Sequence, residues 1–203
     1  MEQVNAGVES APQKAKGRWK LMLLLAVCAA PVIASYLSYY VIKPQGRTNY
    51  GTLLDPRQYP VPRLGSQTLD GKAQDLDAFK GKWLMISIGS GNCAAACEKK
   101  LYDMRQLRTA QGKHRDRIER VWLITDQVLI DTRILREFDG TRLLRVAPEV
   151  LQKWLPVEGG GGVQDHIYLI DPLGNLMMRY PKDADANKIK RDISKLLYAS
   201  GIG

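Results

Sequence analysis

Two cysteines, Cys93 and Cys97, stand four positions apart in the stretch WLMISIGSGNCAAACE that runs from residue 83 to residue 98. Trp83 to Ile88 is a run of apolar, β-favouring residues that ends in the breaker cluster Gly89-Ser90-Gly91-Asn92. The cysteines follow at the front of a helix-forming segment. A helix N-terminus favours thiolate over thiol, and thiolate is the form that attacks disulfides and binds metals. At i and i+4 of a helix both side chains share one face, with Cα atoms about 6 Å apart, inside the range a disulfide bridges. The same geometry lets two thiolates share one soft metal ion, copper(I) above all. A blander reading treats them as small buried residues beside Ala94, Ala95 and Ala96; the glycine turn and helix start argue for exposure instead. The residues leave copper and disulfide chemistry both open. In disulfide exchange Cys93 would attack and Cys97 resolve, with Lys99 and Lys100 as candidates to lower the thiol pKa.

A copper site on two thiolates needs a third ligand, and the chain has two histidines. His114 lies in the charged stretch Gly112-Lys113-His114-Arg115-Asp116 and reads as a solvated loop residue. His166 closes Val163-Gln164-Asp165-His166, after the four glycines Gly159 to Gly162 and just before a strand. Met177 and Met178 are soft donors too, but a place in the middle of a hairpin favours core packing for at least one of them.

The elements that must hold these side chains form an alternating pattern. Ser66–Leu69, the Asp70-Gly71 turn and the polar residues up to Asp77 read as a β-hairpin ahead of the Trp83–Ile88 strand. Apolar residues at Cys97, Leu101, Met104 and Leu107 mark one stripe of a helix that Gly112 stops. Val121–Thr125 is a continuous apolar run, as in a buried parallel strand. A helical region over about 133–154 is interrupted near Gly140 and Pro148. Ile167–Ile170 and Leu176–Tyr180 form a hairpin about the turn Asp171–Asn175, and a last helix over Asp185–Ala199 carries Ile189, Ile193, Leu196 and Leu197 on one face. The order predicts an α/β domain with a central mixed sheet flanked by helices. It resembles the thioredoxin fold, in which the loop before the Ile167–Ile170 strand faces the cysteine turn. That likeness makes His166 the candidate third ligand.

Upstream, Leu21 to Ile42 is 22 residues without a charge, enough at about 1.5 Å per residue to cross a hydrocarbon core of roughly 30 Å. Trp19, Tyr36, Tyr39 and Tyr40 sit where interfacial aromatics belong, and Lys14, Lys16, Arg18 and Lys20 precede the span. The domain plan is therefore a cytoplasmic, disordered tail over 1–20, a transmembrane helix over 21–42, a Pro- and Gly-rich linker over 43–65, and the α/β domain over 66–203. The apolar run continues past Val32-Ile33-Ala34, which argues against a cleaved signal peptide; Val27 argues against lipidation at Cys28. Cys28 reads as an ordinary membrane-helix residue. By the positive-inside rule the N-terminus is cytoplasmic and the domain lies outside.

The net charge of +9 is spread along the chain among acidic residues, and only two phenylalanines occur. No basic face with interleaved aromatics is visible, so nucleic acid is excluded as a partner. Three cysteines are too few for a disulfide scaffold.

With the single N-terminal span, the CxxxC of Cys93 and Cys97, a strand ending in Asp126 followed by Asp131-Thr132, and Asp165-His166 ahead of Tyr168-Leu169-Ile170-Asp171-Pro172, the chain resembles the Sco/SenC family over most of residues 60–200. Members are membrane-anchored thioredoxin-fold proteins that help insert copper into cytochrome c oxidase. The resemblance implies copper bound by Cys93, Cys97 and His166, and an oxidase subunit or another copper chaperone as partner. It also implies a bacterial inner membrane location with the domain on the periplasmic side. The alternatives are a tethered thiol:disulfide oxidoreductase that keeps copper-site cysteines reduced, and a scaffold without chemistry. The chain departs from the family in Ala94 and Glu98, where prolines usually follow the cysteines. Its Asp126-to-Asp131 interval is longer by one residue and its His166-to-Asp171 interval shorter by about three.

Overall fold

A computed structural model of the chain describes residues 14–42 and 49–202. Most of the expected tail, residues 1–13, and the flanking charges Lys43 and Arg47 lie outside the described residues. The chain divides into two compact units, residues 1–47 and 48–203.

In the first unit, helix α1 (Lys14–Leu37) passes through Pro31 and widens into a π-helical turn over Ser38–Ile42. Proline lacks the N–H that would bond back into the helix, and a membrane helix tolerates this where neighbouring groups re-satisfy the freed carbonyl. Arg18–Val41 is long and apolar enough to cross a membrane, and its large apolar side chains are exposed. Cys28 is a free, exposed residue of this helix.

The second unit is built on a six-stranded sheet in the order β1-β6-β5-β2-β3-β4. The strands are β1 (Thr52–Leu53), β2 (Trp83–Gly89), β3 (Ile118–Ile124), β4 (Thr141–Arg145), β5 (Tyr168–Ile170) and β6 (Leu176–Arg179). Strands β2, β3 and β4 are parallel; β5, β6 and β1 run antiparallel. The mixed sheet of the thioredoxin-like fold is thus present, with helices on both faces. β2 is central and buried from Trp83 to Ile88, which explains its unbroken apolar run. Leu84, Ile86 and Ile88 point to the face covered by α4 (Pro148–Trp154), packing with Val121, Leu123 and Leu151. Trp83 and Met85 point the other way, onto α2 (Ala95–Thr109) and α5 (Ala186–Ala199), through Met104, Leu107, Ile189, Ile193 and Leu197. The register pairs Ser87 with Trp122 and Gly89 with Ile124, so Trp122 and Ile124 share the α2 face, where they meet Leu101 and α3 (Thr132–Glu137).

Three expectations need redrawing. The region 133–154 is not one interrupted helix. α3 ends at Glu137, Gly140, at φ 74°, turns the chain back, and Thr141–Arg145 forms β4 beside β3 before Pro148 opens α4. The alternation was visible in Leu143 and Leu144, which pack into clusters on opposite faces of the sheet. The 66–77 hairpin shrinks to a tight turn: Gln67 bridges Ala73 on one side and Arg145 of β4 on the other. Finally, the stretch read as linker from 43 to 65 joins the fold from residue 50 onward. Tyr50 and Gly51 donate their backbone N–H groups to the buried Asp192 carboxylate of α5, at 2.8 and 2.9 Å, and β1 adds to the sheet edge. Buried carboxylates require such donors, and here sequence-distant backbone supplies them.

Asp192→Ala removes the single oxygen, Oδ2, that accepts both bonds. Loss of this buried latch should cost about 1–3 kcal/mol, read as a lowered unfolding temperature, with faster hydrogen exchange at the Tyr50 and Gly51 amides. Unchanged exchange there would contradict the latch.

Candidate functional site

The cysteine pair is set by the end of β2. The chain leaves the sheet at Gly89, turns through Ser90-Gly91-Asn92, and enters α2 at Ala95. Position 91 has to be glycine, because a Cβ there would sit 2.5 Å from the Val128 carbonyl oxygen. The Gly91 N–H donates to Asp126 Oδ1 at 2.9 Å, and the Val128 N–H donates to the same oxygen at 3.2 Å. Arg145 donates to the carbonyls of Asp126 and Val128. This clamp joins the cysteine turn to the loop after β3.

Cys93 and Cys97 are joined by a disulfide, with Cα atoms 5.2 Å apart. They do not both lie on the helix. Ala94 is the N-cap in extended conformation, so Cys93 precedes α2 and only Cys97 stands in its first turn. The Cys97 and Glu98 N–H groups bond to the Ala94 carbonyl. Both cysteines are half-buried against Leu101, Trp122, Ile124, Ile134 and Phe138. Cys93 borders an open groove with Glu98, Leu129, Ile130 and Arg133. Cys97 is turned inward: its Sγ lies 3.7 Å from where a Cβ at Gly89 would be. An incoming thiolate therefore meets Cys93 first. Opening the disulfide places negative charge at the positive end of α2, which stabilises it.

Glu98, one of the departures noted above, has a job of its own. Its carboxylate takes two bonds from the Arg133 guanidinium, at 2.6 and 3.2 Å, tying α2 to α3 across the groove. That hydrogen bonding holds its pKa below the usual value. Asp131 caps α3 by accepting from the Arg133 N–H at 2.7 Å. Sequence reading missed Arg133 and Arg145; the only signal was the Asp131-Thr132-Arg133 cap pattern.

The other expected site residues stand apart from the sulfurs. His166 is buried at 2% exposure, and its Nδ1 is 2.8 Å from the Tyr180 carbonyl. A carbonyl only accepts, so Nδ1 carries a hydrogen, and Nε2 has no partner among the described residues. His166 lines a depression with Glu158, Gly159 and Lys182, distinct from the groove at Cys93. No three His, Cys, Asp or Glu side chains among the described residues are grouped so as to hold a metal ion. Met178 is fully buried in the core and Met177 packs against it. Lys99 pairs with Asp103 at 2.6 Å, and Lys100 donates to the Gln164 carbonyl, joining α2 to the turn before His166. Desolvation lowers the Lys100 pKa, against the pull of Asp165 and Asp183. His114 stands within hydrogen-bond range of Arg117, in the turn ahead of β3.

Burial alone would raise the pKa of Asp126, but bonds from Ser90, Gly91 and Val128 and the charge of Arg145 outweigh it and hold the carboxyl below 3.8. A depressed folded-state pKa means the clamp contributes fully above 3.8 and is lost as the pH falls through the folded-state value. Asp126→Ala should therefore reduce hydrogen-exchange protection at the Gly91 amide by roughly tenfold at neutral pH. Wild-type protection should fall towards the variant's on acidification; a pH-independent difference would contradict the assignment.

Comparison with known proteins gives the chain its relatives. Residues 83–200 match the family model described as transmembrane-like, thioredoxin-like, C-terminal domain, and residues 12–41 match transmembrane-like, N-terminal domain. No curated protein matches the chain. Among solved structures, Arabidopsis thaliana ScoI with copper bound is 17% identical, with 68% of this chain and 98% of that chain covered at a TM-score of 0.54. Yeast Sco1 with copper bound is 19% identical, covering 68% and 91% at 0.50. BsSco, described as a member of the Sco family of cytochrome c oxidase assembly proteins with a disulfide switch, is 20% identical, covering 72% and 98% at 0.50. At these identities the likeness is one of fold. The C-terminal family match spans more than half of the chain, and the chain belongs to that family of transmembrane-like proteins with a thioredoxin-like C-terminal domain.

Proposed function

We propose that this protein is a membrane-tethered, Sco-like factor in cytochrome c oxidase assembly, whose Cys93–Cys97 pair cycles between disulfide and dithiol and takes copper(I) as cargo in the dithiol form. The observation that carries the reading is the pair itself: a disulfide at a helix start, with one sulfur on an open groove and the other turned inward. Copper is bound in the Arabidopsis and yeast structures of like fold, and a disulfide switch is described for BsSco. Once reduced, two thiolates on Cα atoms 5.2 Å apart suit a soft, low-coordinate ion.

His166 is the proposed third ligand, through Nε2. Its Nδ1–H bond to the Tyr180 carbonyl fixes the tautomer and ring orientation in the way outer partners of ligating histidines do. Because His166 and Cys93 line separate depressions in the oxidised chain, three-fold ligation requires the Val163–Asp165 turn to shift. A second reading, a thiol:disulfide oxidoreductase that keeps copper-site cysteines of a partner reduced, is supported by the oxidised pair standing without a grouped third ligand among the described residues. In both readings the helix around Arg18–Val41 anchors the domain to a bacterial inner membrane, with the domain on the periplasmic side, where disulfides persist.

Anaerobic copper(I) titration of the reduced full-length protein in detergent, with Cys28→Ser in every sample, tests the copper reading. One equivalent should bind tightly, Cys93→Ser and Cys97→Ser should each abolish it, and His166→Ala should weaken it. Binding unchanged by His166→Ala would remove the histidine from the site. Absence of binding in the wild type would sink copper carriage and leave the oxidoreductase.

A further inference from the structure

Beneath the disulfide lies an indole N–H with nothing to bond. Trp122, in β3, is 1% exposed, and its Nε1 has no acceptor among the described residues. Leaving a buried donor unsatisfied is costly, and native proteins seldom do so without a use for it. The register of β2 and β3 puts Trp122 on the sheet face under α2, in the same cluster as both cysteines. Its Nε1 and Cys97 Sγ border one small space: a Cβ built at Gly89 would lie 3.5 Å from the nitrogen and 3.7 Å from the sulfur. Trp83 and Trp154 also have unpaired indole nitrogens, but they belong to clusters without a cysteine.

We propose that Trp122 is the hydrogen-bond donor that receives Cys97 when the disulfide opens. The inference rests on the exchange chemistry proposed above. In the reductive half of the cycle, a thiolate of a dithiol reductant forms a bond to Cys93 Sγ, the Cys93–Cys97 bond breaks, and its electron pair goes to Cys97 Sγ, beside the indole. The second thiol of that reductant then attacks the mixed disulfide and releases Cys93. The reductant leaves as a disulfide, two electrons have passed to this chain, and the reductant's two protons go to Cys93 and Cys97 or to solvent. The oxidised pair gives the indole no bond, whereas the leaving sulfur carries charge and accepts one. The unsatisfied donor thus biases the equilibrium towards the dithiol. Gly89 leaves the space between them open; alanine fits it at ordinary contact distance and places a methyl against both atoms.

The test equilibrates metal-free, full-length protein carrying Cys28→Ser in detergent with glutathione redox buffers, comparing wild type, Trp122→Phe, Gly89→Ala and Trp83→Phe. A bond to a charged sulfur at the low end of its usual strength predicts that Trp122→Phe and Gly89→Ala favour the disulfide by about tenfold, about 30 mV for this two-electron couple. Trp83→Phe should leave the equilibrium unchanged. On reduction of the wild type, the Trp122 indole proton should shift downfield in the spectrum of indole-15N-labelled protein. If Trp122→Phe fails to fold, Gly89→Ala and the indole shift decide. Equilibria equal to wild type, or an indole proton that does not move on reduction, overturn the inference while leaving exchange intact. A wild-type pair that does not equilibrate with glutathione overturns both.

Discussion

One hydrogen-bonded contact sets the geometry of the site: the Asp126 carboxylate against the Gly91 N–H, with the Val128 backbone so close that position 91 admits no side chain. The two parallel strands β2 and β3 deliver their C-terminal ends side by side, as open α/β sheets do at their functional edge. The clamp converts that proximity into a fixed turn. Cys93 then stands before α2 instead of on it, and Cys97 in the first turn faces the sheet. The two sulfurs consequently have unequal surroundings, one on an open groove and one against Trp122 and Gly89. In the proposed exchange, that inequality assigns attack and departure to different atoms.

Much of the architecture was legible because β2, β3, α2 and α5 carry clean patterns: unbroken apolar runs for doubly covered strands, and a 3.6-residue stripe for the helices. Elements whose stability comes from partners distant in sequence were harder to read. β4 is five residues long, lies at the sheet edge and alternates only once, so its neighbours Gly140 and Pro148 looked like helix interruptions. The residues leading into β1, Tyr50 and Gly51, are held by Asp192, some 140 residues away, and nothing within the stretch 43–65 announces that. The cysteine pair could be found from spacing and turn residues alone. The positions of His166 and Arg133 relative to it depend on how loops pack, which a local pattern does not encode.

The departures from the Sco/SenC pattern acquire physical meaning. Where that family places proline after the second cysteine, Glu98 forms a two-point bridge to Arg133 and closes one wall of the groove. His166 stands buried, with its free nitrogen unpartnered and its other nitrogen bound to Tyr180. The chain thus carries its cysteine pair on a thioredoxin-like frame with a different set of groups around it.

Cys93–Cys97 is proposed as a working redox pair and not a structural brace. The direct test is the absolute reduction potential of the pair in the full-length, metal-free protein. A value well above about −300 mV, the region below which structural disulfides of secreted proteins fall, is the predicted result. A potential below that mark, with the disulfide persisting in excess reduced glutathione, would contradict the claim.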